Sequence, residues 1–228
     1  VPRWRTRAAN RRARSATVSR SAQRLRASAR SARVDLWLGR MIQAVMRRAD
    51  GTQHPGVVVC SPYLRARQTW TQATDTAAAH GTRYPQAHID DRLCDRLMGD
   101  LELLTPLMIA TRFPAEAVRL AADGPYAYRP PGGETFNDVT ARVRAVLADL
   151  NTRHPGQRVL IVAHDAVVVA VRHILEELPF ADLDAILAIT PITNTSLTRY
   201  AHTNGRLDLV EFAAMPHLTQ EDQHARLS

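Results

Sequence analysis

Two short aliphatic runs interrupt the polar background of this 228-residue chain, Val57-Val58-Val59-Cys60 and Val159-Leu160-Ile161-Val162-Ala163. Neither contains a charge, and runs of this length suit strands covered on both faces, as in a parallel sheet. A helical pattern follows each one. After the first, Ser61-Pro62 has the form of a helix cap with proline at the first helical position, and the predicted helix continues through Leu64, Arg65 and Thr69 toward His80. After the second, His164 and Asp165 precede Ala-Val-Val-Val-Ala-Val-Arg-His-Ile-Leu, a helix with an acid in its first turn.

Other stretches show helical spacing as well. Val34, Leu38, Met41, Ile42, Val45 and Met46 predict an amphipathic helix over 34–49 that ends at Asp50-Gly51. Phe136, Val139, Val143, Val146, Leu147 and Leu150 predict another. Residues 101–113 and 114–122 read as two helices of an inserted lid, with 125–131 as the loop returning from them. Residues 181–188 follow the helix after the second aliphatic run, and Asn204-Gly205 reads as the turn of a hairpin between 196–200 and 207–212. Alternating strands and helices predict a three-layer α/β/α fold with a mostly parallel central sheet.

Composition changes the picture at one end of the chain only. All 30 basic residues are arginine, and the formal charge is +8. Residues 1–33 hold 11 of those arginines and no acid, which leaves 19 arginines against 22 acids, a net −3, for the remainder. The basic character therefore belongs to an extension rich in Arg, Ser and Ala, expected to be disordered or a frayed helix; a solvated extension is the first reading, with a nucleic-acid arm or a transit-like leader as the alternatives, and residues 216–228 read as a polar tail. The two cysteines, Cys60 and Cys94, form no disulfide framework or zinc spacing. No apolar run reaches the ~18 residues of a membrane span, so a cytoplasmic protein is expected.

Candidate chemistry gathers at the ends of the two aliphatic runs. Ligands of open α/β sheets sit outside the carboxyl ends of the strands, beside helix N-termini, which places His164 where anions bind. Arg65, in the first turn of the other helix, offers a planar fork of donors to the same kind of group. The alternative for His164 is a hydrogen-bonded structural histidine. His173 reads as a packing residue and Arg67 as surface.

At this point the residues resemble a family. Residues 61–69, Ser-Pro-Tyr-Leu-Arg-Ala-Arg-Gln-Thr, resemble the Ser-Pro-x-x-Arg-Ala-x-x-Thr motif of the histidine phosphatase (phosphoglycerate mutase-like) superfamily, and 160–165 resemble its second histidine motif. Residues 89–102 resemble the segment carrying its acid. Pro131-Gly132-Gly133-Glu134-Thr135, with Asp138 and Arg142, resembles its Pro-x-Gly-Glu-Ser helix entry. The resemblance implies phosphoryl transfer through a phosphohistidine, with Arg65 and His164 holding the phosphate and Asp95 as the acid that protonates the leaving alcohol. That division of labour suits the chemistry, which needs donors around the non-bridging oxygens and a positioned proton. Asp90, Asp91 and Glu102 compete with Asp95 for the acid's role, and a solvated salt bridge is the alternative for Asp95 itself. Glu134 and Thr135 face the substrate in this reading, or they simply open their helix. Arg112, Arg119 and Arg129 of the lid are either ligand contacts or solubilising residues.

One part of the pattern is missing. The family's nucleophile lies in an Arg-His-Gly motif at the end of a first strand, and this chain has no histidine before His54, which sits in the turn sequence Gln-His-Pro-Gly. No strand-like run occurs in 1–33. An out-of-frame reading of G+C-rich DNA gives such an arginine- and serine-rich stretch; a natural loss of the nucleophile is the rival. The domain expected is therefore 34–215 with its lid over about 100–130, the first strand absent and no nucleophile found. The function expected is that of a phosphomonoesterase or phosphomutase-type protein, inactive or nearly so, acting on a small phosphorylated metabolite. The alternatives are a non-catalytic phospho-ligand-binding or scaffolding protein, and a nucleic-acid-associated protein using the basic arm. Neither a metal nor a cofactor is implied. The expected partner is a small metabolite, not a membrane or a nucleic acid, and nothing in the sequence marks an oligomeric state.

Overall fold

The computed structural model describes residues 55–79 and 81–215. The basic extension, the helix expected over 34–49, the place of a first strand, the turn at His54 and the tail from 216 lie outside them.

Among the described residues, strand β1 (Val57–Cys60) stands at the centre of a three-stranded parallel sheet, between β2 (His88–Ile89) and β3 (Val159–Val162). Its register pairs Val57 with Val159 and Cys60 with Val162. Because successive side chains on a strand point to opposite faces, these short runs feed two cores at once. Val57, Val59, Val159 and Ile161 pack with Leu93, Val139, Val143, Val146, Val167 and Ala170, the inward residues of α4 (Phe136–Arg153) and α5 (Asp165–Leu175) and of the turn after β2. Val58, Leu160 and Val162 pack on the other face with Trp70 and Ala73 of α1 (Leu64–Ala79) and with Tyr84. The layers expected from the sequence are present.

Burial differs between the two aliphatic runs. All four residues of β1 are buried, whereas all four of β3 are half-buried. Strand β1 has a neighbour on each edge; β3 pairs with β1 alone among the described residues. The full coverage expected for the second run is therefore incomplete. Strands β4 (Leu197–Thr203) and β5 (Arg206–Ala214) form a separate antiparallel hairpin, turned by Asn204 and Gly205, both at positive φ.

Several boundaries shift for identifiable reasons. Helix α1 starts at Leu64 rather than behind a Ser61 cap, and its first N–H bonds, from Ala66 and Arg67, go to the Tyr63 carbonyl. The lid's first helix, α2 (Pro106–Arg112), begins five residues later than the apolar spacing predicts, because Thr105 caps it through its side chain and Pro106 occupies the first turn. Leu103, at φ 62°, turns the chain just before it. The second, α3 (Pro114–Ala127), runs past the expected end at 122 with a break at Gly124 (φ 76°, ψ 163°). Leu101, Ile109 and Tyr128 give the lid a small core of its own. After β3 and α5, helix α6 (Phe180–Ile189) completes the described fold. No helix among the described residues is long and apolar enough to cross a membrane.

Candidate anion site

The parallel pairing of β1 with β3 brings their carboxyl ends side by side, so residues about a hundred positions apart in sequence converge. The Ser61 N–H continues the ladder to the Val162 carbonyl at 2.9 Å. His164 follows β3 as the N-cap of α5, and its carbonyl accepts from Val167 and Val168. Arg65, in the first turn of α1, reaches across: its Nε donates to His164 Nδ1 at 3.2 Å, and its Nη2 donates to Asp95 Oδ2 at 2.6 Å. Asp95 Oδ2 lies 3.8 Å from the same Nδ1. The three residues named from the sequence, Arg65, Asp95 and His164, are therefore one cluster.

The state of the histidine ring follows from its neighbours. Arginine cannot accept a proton, so Nδ1, which receives the Arg65 N–H, carries none, and the proton of the neutral ring is on Nε2. Nε2 in turn meets Ser61 Oγ at 2.7 Å. Burial is the main cause that holds the His164 pKa below its ordinary 6.5; Asp95 pulls it back up and Arg65 pushes it further down. With a neutral ring, the 3.8 Å approach of Asp95 is a polar contact and not an ion pair. Tyr63 packs edge-on to the imidazole, with centroids 5.2 Å apart, and the Arg65 guanidinium lies 4.8 Å above the Tyr63 ring.

Asp95 reaches this cluster because two arginines shape the segment around it. Arg142, on α4, donates to the backbone carbonyls of Arg92 (2.6 Å), Cys94 (2.8 Å) and Asp95 (3.1 Å), and makes a two-point pair with Glu134 at 3.0 Å on each oxygen. Arg96 lies over the Phe136 ring and donates to the carbonyls of Pro125, Tyr128 and Glu134, while its own N–H caps Asp95 Oδ1. Two of the competing acids, Asp90 and Glu102, are committed elsewhere. Asp90 holds Arg92 and caps the short 3₁₀ turn Asp91–Leu93, and Glu102 accepts from the Met98 N–H.

Glu134 and Thr135 stand in the scaffold. The Glu134 carboxylate is taken up by Arg142 and by the Leu97 N–H at 3.1 Å, and Thr135 forms a capping box with Asp138 at the start of α4. Among the lid arginines, Arg119 pairs with Glu116 and Arg129 with Asp138. His173 stacks on Phe180 and Arg67 is exposed, as expected. Sequence reasoning missed the parts played by Ser61, Tyr63, Arg96 and Arg142. For Arg142 a signal was present, since it follows Glu134 by two helical turns. A cleft of about 340 Å³ between β1, β2 and α4 lies away from the cluster, and its rim is paired internally, Arg92 to Asp90 and Asp149. No group of three or more metal-ligating side chains occurs among the described residues.

Fold and cluster together define an α/β protein with a guanidinium and an imidazole at the carboxyl edge of parallel strands, the place where such sheets bind anions. The chain belongs to the histidine phosphatase superfamily (branch 1), which it matches over residues 39–214. It is 30% identical over 158 residues to the glucosyl-3-phosphoglycerate phosphatase of Mycobacterium tuberculosis, an alignment covering 65% of this chain and 67% of the relative. Over 147 residues it is 34% identical to the 6-phosphofructo-2-kinase/fructose-2,6-bisphosphatase of Caenorhabditis elegans, covering 60% of this chain and 29% of that longer protein. The solved structure of a mycobacterial glucosyl-3-phosphoglycerate phosphatase with inorganic phosphate shares the fold, with a TM-score of 0.63 at 24% identity over 81% of this chain and 87% of the other.

Proposed function

We propose that the Arg65–His164–Asp95 cluster is the phosphate-holding half of a histidine phosphatase site, and that this chain binds small phosphorylated metabolites but hydrolyses them feebly or not at all. The convergence of Arg65 and His164 carries the binding part. A phosphoryl group needs several donors around its non-bridging oxygens, and the Arg65 guanidinium supplies a fork of them at the edge where the His164 ring also lies. In this reading Asp95, now paired with the guanidinium at 2.6 Å, takes the acid's role toward the leaving alcohol only after it has released Arg65 and gained a proton. The relatives are named as phosphatases of phosphorylated sugar-derived metabolites, which supports a ligand of that class.

The weak-hydrolysis part rests on the nucleophile. Displacement through a phosphohistidine forms an N–P bond as the ester P–O bond breaks, and it needs a second histidine facing the phosphorus. The chain contains no Arg-His-Gly sequence. The other described histidines are placed elsewhere: His88 on β2, His154 at the end of α4, His173 against Phe180 and His202 on β4. Titration calorimetry with orthophosphate, alongside an aryl phosphate assay with trapping of acid-labile phosphoenzyme, tests both parts. The expected result is saturable binding that Arg65→Ala weakens at least about tenfold, with turnover near the buffer background. Absence of orthophosphate binding overturns the first part; vigorous turnover with a trapped phosphohistidine overturns the second.

A further inference from the structure

Ser61 is fully buried, and its side chain does not cap the helix that follows. Its Oγ accepts the Tyr63 N–H at 3.3 Å and lies 2.7 Å from His164 Nε2. The backbone bond from Ser61 N–H to Val162 fixes that position, because it belongs to the ladder between adjacent strands. A serine this close to a histidine invites a nucleophile-and-base reading, and the surrounding bonds exclude it. Nδ1 is occupied by the Arg65 N–H, so Nε2 holds the ring proton and cannot take another from the serine.

We propose instead that Ser61 is a positioning residue for the phosphate pocket, whose hydroxyl reverses its hydrogen bond to Nε2 and so lets His164 change which nitrogen carries the proton without moving the ring. The inference rests on the reading of the cluster as phosphate-binding.

The non-bridging oxygens of a phosphomonoester dianion only accept. For His164 to help hold them, Nδ1 must become a donor while the Arg65 guanidinium turns from the ring to the anion. Nδ1 takes a proton from water at the open edge as the Nε2 proton is passed to the Ser61 hydroxyl and its equivalent returns to solvent, so the ring stays neutral with its proton on Nδ1 and Nε2 an acceptor facing Ser61. A hydroxyl serves both arrangements, since it can accept from Nε2–H and can equally donate to a bare Nε2. A carbonyl or a carboxylate at the same place would serve only the first. An alanine would leave Nε2 buried without a partner in either, which costs the desolvation of that group. Burial favours a neutral ring over an imidazolium, so a change of tautomer is the economical route to a donating Nδ1.

Ring 15N spectra of the full chain labelled at histidine, recorded with and without saturating orthophosphate, decide the matter. The wild-type protein is expected to show the His164 proton on Nε2 before phosphate is added and on Nδ1 afterwards. Ser61→Ala is expected to bind orthophosphate roughly tenfold more weakly and Ser61→Thr to recover most of that loss. A wild-type ring with its proton on Nδ1 throughout, or one still on Nε2 at saturation, overturns the proposal, and neither observation depends on any variant folding. Equal affinity of the wild type and a folded Ser61→Ala also overturns it. Failure of the wild type to bind orthophosphate removes the underlying pocket reading instead and is separately recognisable, because affinity is measured first.

Discussion

Replacing Arg142 by methionine should cost more stability than any change at the surface. The guanidinium makes five hydrogen bonds, three to the backbone carbonyls of Arg92, Cys94 and Asp95 and two to Glu134. Its side chain is only 14% exposed and that of Glu134 only 17%. Methionine fills much of the volume but leaves Glu134 with the single N–H of Leu97 and removes the charged donor from all three carbonyls. Removing one partner of a buried pair costs ~3–5 kcal/mol, and rehydration of the carbonyls keeps the total from rising by a full bond's worth for each. A loss of about 4 kcal/mol is a large part of the ~5–15 kcal/mol that a domain has in total. With urea slopes of about 1–3 kcal/mol per molar, the midpoint should fall by roughly 2 M. The double variant Arg142→Met/Glu134→Met should be less destabilised than Arg142→Met alone, because it no longer buries an unpaired carboxylate. A single-variant loss below about 1 kcal/mol, or a double variant whose loss equals the sum of the two singles, would refute the clamp.

Two further outcomes test other parts of the structure. At Gly99 (φ 54°) an added Cβ would stand 2.0 Å from the Pro131 carbonyl oxygen, whereas at Gly81 (φ 77°) it would meet nothing within 4 Å; Gly81→Ala should cost ~1–2 kcal/mol for conformation alone and Gly99→Ala about 1–3 kcal/mol more for the collision, and equal urea midpoints for the two would show that the contact between these turns is soft. For His164, burial lowers the folded pKa below the unfolded 6.5, so the unfolded chain binds more protons below that value and stability falls as pH drops through 6.5; unfolding free energies from pH 5 to 8 should show this fall in the wild type and a flatter profile in His164→Gln, and parallel profiles would contradict it.

Local chemistry made much of this fold legible. Three valines and a cysteine at 57–60, an Asn-Gly turn at 204–205 and a threonine three residues before Asp138 each produced the element expected, because backbone propensity and burial agree at those places. The start of α1 was misread because Ser61-Pro62 has the chemistry of a cap while a partner 103 residues away takes the hydroxyl. Strand β2 has two residues, too few for any periodicity. Arg65 and His164 could be placed because strand ends in such sheets point to one edge. Asp95 could be named only by resemblance: its approach depends on Arg142 and Arg96 gathering backbone carbonyls, and carbonyl contacts leave no trace in residue type. Glu134 illustrates the remaining ambiguity, since a carboxylate that pairs with an arginine and one that meets a ligand read alike in sequence.

The bond between Arg65 and Asp95 also bears on what the site will admit. A guanidinium already joined to its own carboxylate takes up an outside anion by exchange, so Asp95 acts as a competitor built into the chain. A monoanion offers Arg65 little that Asp95 does not already supply, and it must still leave water. A phosphoryl dianion brings a second charge and three acceptor oxygens, enough to displace the carboxylate and engage the imidazole as well. On the proposed reading of the cluster as a phosphate pocket, that exchange makes it a charge filter, weak toward chloride or simple carboxylates and selective for doubly charged ligands.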